Sequence, residues 1–128
     1  MALSDRRILD AQKEGAIVIS PFRRENLSTS SYDVSLGEWY FRERKPAHFR
    51  NIFNLYDRAH TEQGWGTEPT RAERARVLLG AHAAELVGIA PQDKIIMLEP
   101  GETVLAHTQE FIGGRGHITT MMKARSTL

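Results

Sequence analysis

The apolar residues of this chain come in short runs, and a turn-forming residue closes most of them. Ile17-Val18-Ile19 is stopped by Pro21. Lys94-Ile95-Ile96-Met97-Leu98 runs into Pro100-Gly101, and Thr103-Val104-Leu105-Ala106-His107 follows that turn. Gly113-Gly114-Arg115-Gly116 then reverses the chain ahead of a last run from His117 to Met122. Proline cannot donate to a strand ladder and glycine weakens a strand interior, so these residues mark strand ends. Short strands with turn signals at this spacing predict a sandwich or a barrel.

A further stretch, Ser30 to Gly37, alternates Tyr32, Val34 and Leu36 with Asp33 and Ser35, the period of a half-buried strand. Trp39-Tyr40-Phe41 extends it or begins its partner.

Helix signals are confined to two places. Ser4 precedes Asp5, which suits a helix N-cap followed by an acid at the positive end of the helix dipole. Leu3 and Ile8 stand at hydrophobic-staple spacing, and Gly15 is placed to end the helix. Thr70-Arg71-Ala72-Glu73 matches a capping box and predicts a second helix reaching about Leu86, with Gly80 as its weak point. Between Lys45 and Pro69 there is no clean period, which predicts a long surface excursion.

The length of 128 residues fits a single domain able to bury a real core. There is no cysteine, which removes disulfides, thiolate zinc sites and thiol nucleophiles together. The net charge of +1 gives no general attraction to nucleic acid or to a membrane surface, so any anion must meet a local cluster. No apolar run approaches the roughly 20 residues of a membrane span, and the start lacks a signal-peptide core. The expectation is a soluble, cytoplasmic protein.

Three groups of residues could carry chemistry. Arg125-Ser126-Thr127 offers a rigid guanidinium fork beside two hydroxyls, donors that suit phosphate oxygens; the alternative is a polar tail. Asp33 could hold a metal-bound water or a neighbouring backbone N–H, or simply cap a turn. The five histidines, His48, His60, His82, His107 and His117, form no H-E-x-x-H pattern, and the H-x-E…P-C-x-x-C signature of zinc deaminases needs cysteines this chain lacks. No protein-held zinc is expected. Gly113-Gly114-Arg115-Gly116 lacks the Walker pattern and predicts a hairpin turn. Arg71, Arg74 and Arg76 read as one solvated helix face.

Taken together, these segments resemble the dCTP deaminase branch of the trimeric dUTPase-like superfamily. Leu3-Ser4-Asp5-Arg6 with Ile8, Glu14-Gly15 and Ile17-Val18-Ile19 is similar to the family's opening helix and first strand. Ser31-Tyr32-Asp33-Val34-Ser35-Leu36-Gly37 resembles its S-Y-D-[LV]-x-L-G segment, which parallels the first motif of dUTPases. Leu98-Glu99-Pro100-Gly101-Glu102 with Val104, Leu105, Ala106 and Thr108 resembles L-x-P-G-E-x-x-L-A-x-T. Arg125-Ser126-Thr127-Leu128 resembles the R-S-S-L that opens the main phosphate-binding motif, with Thr127 keeping the second hydroxyl. The likeness covers about residues 2–42 and 94–128; residues 45–93 read as an insertion within one domain, 1–128.

The resemblance implies a mainly β fold, a distorted barrel or β-clip of the dUTPase-like type with an N-terminal helix and an inserted one. It implies a homotrimer that hydrolyses dCTP to dUTP and ammonia without zinc, with Mg²⁺ carried by the nucleotide triphosphate. Arg125, Ser126 and Thr127 become substrate-binding residues, and Ser126 an orienting donor in catalysis. The rest of that motif and the glutamate that activates water are expected beyond Leu128. The domain is then expected to be incomplete, from a truncated reading frame or a partial sequence, and the 128-residue chain inactive by itself. Two alternatives stand beside this one: a dUTP diphosphatase of the same fold, and a non-catalytic trimeric scaffold or nucleotide-binding module.

Overall fold

The computed structural model describes residues 2–44 and 52–124. Among these the chain is mainly β, with short strands in small sheets, a few helices and no closed barrel. The described residues divide into two compact units: residues up to Ser35 together with those from Thr108, and Leu36–His107.

The first unit is built on helix α1 (Asp5–Lys13) and strand β1 (Ile17–Ser20). Ser4 caps α1, its hydroxyl accepting from the Arg7 N–H at 3.4 Å, with Asp5 in the first turn and Lys13 in the last. Gly15, at φ 76°, ends the helix in the left-handed region where a side chain would be strained. The Ala16 N–H bonds the Ala11 carbonyl at 2.8 Å, which feeds the chain straight into β1. Ile8 and Ala11 lie three apart on one helix face, and Ile17 and Ile19 on one strand face; with Leu27 they form the buried cluster. Leu3, Phe22, Tyr32 and Ile118 pack around it.

Strand β1 pairs antiparallel with the segment Phe111–Gly114, setting Ile17 opposite Gly114 and Ile19 opposite Ile112. The two glycines expected in a turn are thus strand residues. The last strand stands here, and His117–Ala124 has no regular secondary structure. The cause is a close approach. A Cβ on Gly114 would lie 2.5 Å from the Ile118 carbonyl oxygen, so the bare glycine lets the chain fold back. Ile118 then joins the hydrophobic cluster instead of extending a strand.

The second unit holds a three-stranded sheet in which β2 (Leu36–Arg42) lies between β3 (Thr70–Arg71) and β6 (Val104–Thr108), Thr108 being the residue at which β6 passes into the first unit. Strands β2 and β3 are antiparallel, with Trp39 opposite Arg71 and Tyr40 opposite Thr70. Strands β4 (Glu73–Arg74) and β5 (Lys94–Ile95) form a separate antiparallel pair. Counted along the chain, Phe111–Gly114 is β7. Helix α2 (Arg58–Trp65) is capped by Asp57, whose carboxylate accepts from the Ala59 N–H at 2.9 Å. Helix α3 (Ala75–Leu79) continues as a 3₁₀ turn, Gly80–Glu85. Ala72, Ala75 and Ala83 are buried here, as are Gly37 and Gly64, so small side chains or none allow the backbone segments to approach.

The expected helix from Thr70 to Leu86 is therefore replaced by two strand pieces, one short α-helix and a 3₁₀ turn. Tertiary hydrogen bonds override the capping-box signal. The Ala72 N–H donates to the Glu38 carbonyl at 2.7 Å, and the Ala75 N–H donates to the Asp93 carbonyl at 2.8 Å. Gly80, at φ 58°, then halts α3. Helix α2 falls inside the stretch read as an irregular excursion, and Lys45–Asn51 of that stretch lie outside the described residues.

Candidate functional site

The segment resembling S-Y-D-[LV]-x-L-G is not a regular strand until its end. Tyr32 makes a single bridge to Leu27, and β2 begins only at Leu36. Between them the backbone is held by individual contacts. The Ser28 N–H bonds the Ser31 carbonyl at 2.8 Å, and the Asp33 N–H bonds the Asn26 carbonyl at 2.8 Å. The Tyr32 ring stacks on Phe22 at 5.3 Å, and its hydroxyl accepts from the Arg23 N–H at 2.8 Å. Asp33 is half-buried on this pinned segment.

Ser35 is fixed from both sides of its peptide. Its carbonyl accepts from the Gln109 N–H at 2.9 Å, and its N–H donates to the Glu110 carboxylate at 2.9 Å. Glu110 is only 6% exposed, which makes it the buried acid of the described residues. Burial pushes its carboxyl up, but the Ser35 N–H, its own backbone N–H, the Ser35 hydroxyl and the positive charge of Arg23 outweigh that, and the net result is a lowered pKa. The Thr108 hydroxyl donates to the Glu110 carbonyl at 2.7 Å and fixes the corner that carries it. Sequence reading passed over Glu110. The available signal was an acid directly before the apolar pair Phe111-Ile112, a place where burial is to be expected.

In the second unit, Gly37 is buried against the His107 ring. The Trp39 N–H donates to His107 Nε2 at 3.3 Å, which requires that nitrogen to be unprotonated. The expected segment Leu98–Glu102 forms a tight turn: the Glu102 N–H bonds the Glu99 carbonyl at 3.0 Å, with Gly101 at φ 83°. The Glu102 carboxylate accepts from the Glu99 N–H at 2.9 Å and pairs with Arg42. That N–H, then Arg42, hold the carboxyl below its usual value. Arg42 also donates to the Met97 carbonyl at 2.8 Å.

Glu38 binds Arg71 at 3.0 Å and pairs with Lys94. The hydrogen bond from Arg71, followed by that from Lys94, lowers its pKa to about 2. The Arg71 guanidinium also lies 5.4 Å from the Trp39 ring centroid. Arg71, Arg74 and Arg76 therefore do not share a helix face: they stand on β3, β4 and α3.

Arg125, Ser126 and Thr127 lie outside the described residues, as does His48. Among the described residues no group of three or more His, Asp or Glu side chains is placed to hold a metal ion. Among them, too, no helix is long and apolar enough to cross a membrane.

A mainly β chain with these segments in this order defines a class, and comparison with protein families gives it a name. The chain belongs to the dCTP deaminase-like family, whose model matches residues 2–128. It is thereby a member of a hydrolase family of nucleotide metabolism. A comparison with curated proteins finds no match.

Proposed function

We propose that the protein hydrolyses dCTP at C4 of the cytosine ring, taking up water and releasing dUTP and ammonia. The family match over residues 2–128 carries this reading. The pinned segment from Tyr32 to Ser35 supports it, because an irregular backbone fixed at several points can present Asp33 in one place. In this reading Arg125 binds the triphosphate through its guanidinium fork, with Ser126 and Thr127 as hydroxyl donors. Ser126 also orients the reacting groups. Mg²⁺ arrives on the triphosphate, and no zinc takes part. The active species is a homotrimer in the cytoplasm.

The test is incubation of the protein, as expressed from its gene, with dCTP and with dUTP in Mg²⁺ buffer. Ammonia from dCTP is the expected product. Pyrophosphate from dUTP without ammonia would reassign the protein as a dUTP diphosphatase. Neither product, with nucleotide still bound, would leave a binding module or scaffold.

A further inference from the structure

Resting on the reading of the chain as a nucleotide-handling member of its family, we propose that Glu110 is a positioning residue whose buried carboxylate sets the backbone from Tyr32 to Ser35 for substrate. The argument begins with what a buried carboxylate costs. An ionised acid taken out of water is unfavourable unless donors replace its hydration. Here the Ser35 N–H does so at 2.9 Å, and the Ser35 hydroxyl assists. A ladder N–H is ordinarily met by a neutral backbone carbonyl. Meeting this one with a charged group gives a bond roughly twice as strong as a neutral one.

The second part is what the bond holds. Ser35 sits where irregular backbone becomes β2, and the Gln109 N–H grips its carbonyl at 2.9 Å. Ten residues upstream of β2 at most, Asn26 and Leu27 grip Asp33 and Tyr32. The intervening residues thus have both ends tied. Loss of the Glu110 bond loosens Ser35 and Val34 beside Asp33, whose own N–H stays on the Asn26 carbonyl, while the hydrophobic cluster of Ile8, Ile17 and Ile19 keeps its packing, because Glu110 is not part of that cluster.

The experiment compares Glu110→Asp and Glu110→Gln in the protein as expressed from its gene. Aspartate keeps the charge but is one methylene too short to reach the Ser35 N–H; glutamine keeps an acceptor at full reach. Circular dichroism checks folding, amide hydrogen exchange reads Ser35, and nucleotide turnover reads kcat and KM. For Glu110→Asp the expected result is faster exchange at Ser35 and a kcat lowered on the order of 10- to 100-fold with KM little changed. Glu110→Gln keeps the reach but gives up the charge, so it should recover protection at Ser35 and kcat only in part, between Glu110→Asp and wild type. Should Glu110→Asp fail to fold, Glu110→Gln decides alone: any loss of Ser35 protection must come with a parallel loss of kcat. Faster exchange with wild-type kcat would overturn the proposal, as would a fall in kcat with Ser35 still protected. A wild-type protein that turns over neither dCTP nor dUTP would overturn the functional reading itself, and the positioning role with it.

Discussion

Gly37→Ala is a one-methyl change whose effect can be worked out from the structure. A Cβ built on Gly37 would stand 2.1 Å from His107 Cε1 and 2.5 Å from both ring nitrogens. Comfortable contact is about 3.5–4.0 Å, so the ring must retreat by roughly 1.5 Å. The backbone at Gly37 is not in the left-handed region, so alanine itself is allowed there. Reduced freedom of the unfolded chain would even favour alanine by about 0.4–1 kcal/mol. Against that stands overpacking, typically about 1–3 kcal/mol. The displaced ring also gives up the bond from the Trp39 N–H, a net loss of about 0.5–1.5 kcal/mol. His107 is exposed and can swing outward, which selects the lower part of these ranges. We expect a net destabilisation of about 1–2 kcal/mol.

The assay is urea unfolding followed by tryptophan fluorescence. Both tryptophans, Trp39 and Trp65, belong to the unit containing Gly37, so the signal reports the right region. With a urea m-value of about 1–3 kcal/mol/M, the midpoint should fall by about 0.5–1 M. The decisive arm is the His107→Ala background. With the ring gone, Gly37→Ala should be neutral or slightly stabilising, which gives a coupling of more than about 1 kcal/mol. An equal cost in both backgrounds would refute the reasoning and point to the strand backbone as the source.

Three further outcomes are expected. Glu38 has its pKa lowered to about 2, so the stability it contributes is complete above the ordinary value of 4.5 and is lost as pH falls from there toward 2; thermal melts of Glu38→Gln should depend less on pH in that window than wild type. Ile19→Ala removes a buried side chain from the cluster around α1 and should cost about 2–4 kcal/mol in a denaturant titration. Arg125→Lys keeps charge but loses the two-pronged contact, and should impair turnover of dCTP, while Ser126→Ala should cost about 1–3 kcal/mol of transition-state stabilisation in kcat/KM.

What could be read from the sequence follows the range of the forces involved. The capped helix, Ile17–Ile19 and the strand expected over Thr103–His107, found at Val104–Thr108, were legible because cap chemistry and short apolar runs bounded by turn residues are local signals. Thr70 to Glu73 misled for the opposite reason. Its capping-box pattern is local, but the partner that decides its state is Glu38, over thirty residues away in sequence, and that partner draws Ala72 into extended structure. The glycines of β7 misled likewise, since the reason for Gly114 is the Ile118 carbonyl and not a turn. The same logic explains the site. Tyr32, Asp33 and Ser35 were visible as a motif, whereas the acid that fixes Ser35 lies seventy-five positions on and carries no motif of its own. A pattern can single out candidate residues. The groups that hold those residues still are chosen by the fold, and a buried carboxylate spending its charge on one backbone N–H is how the fold makes such a choice visible.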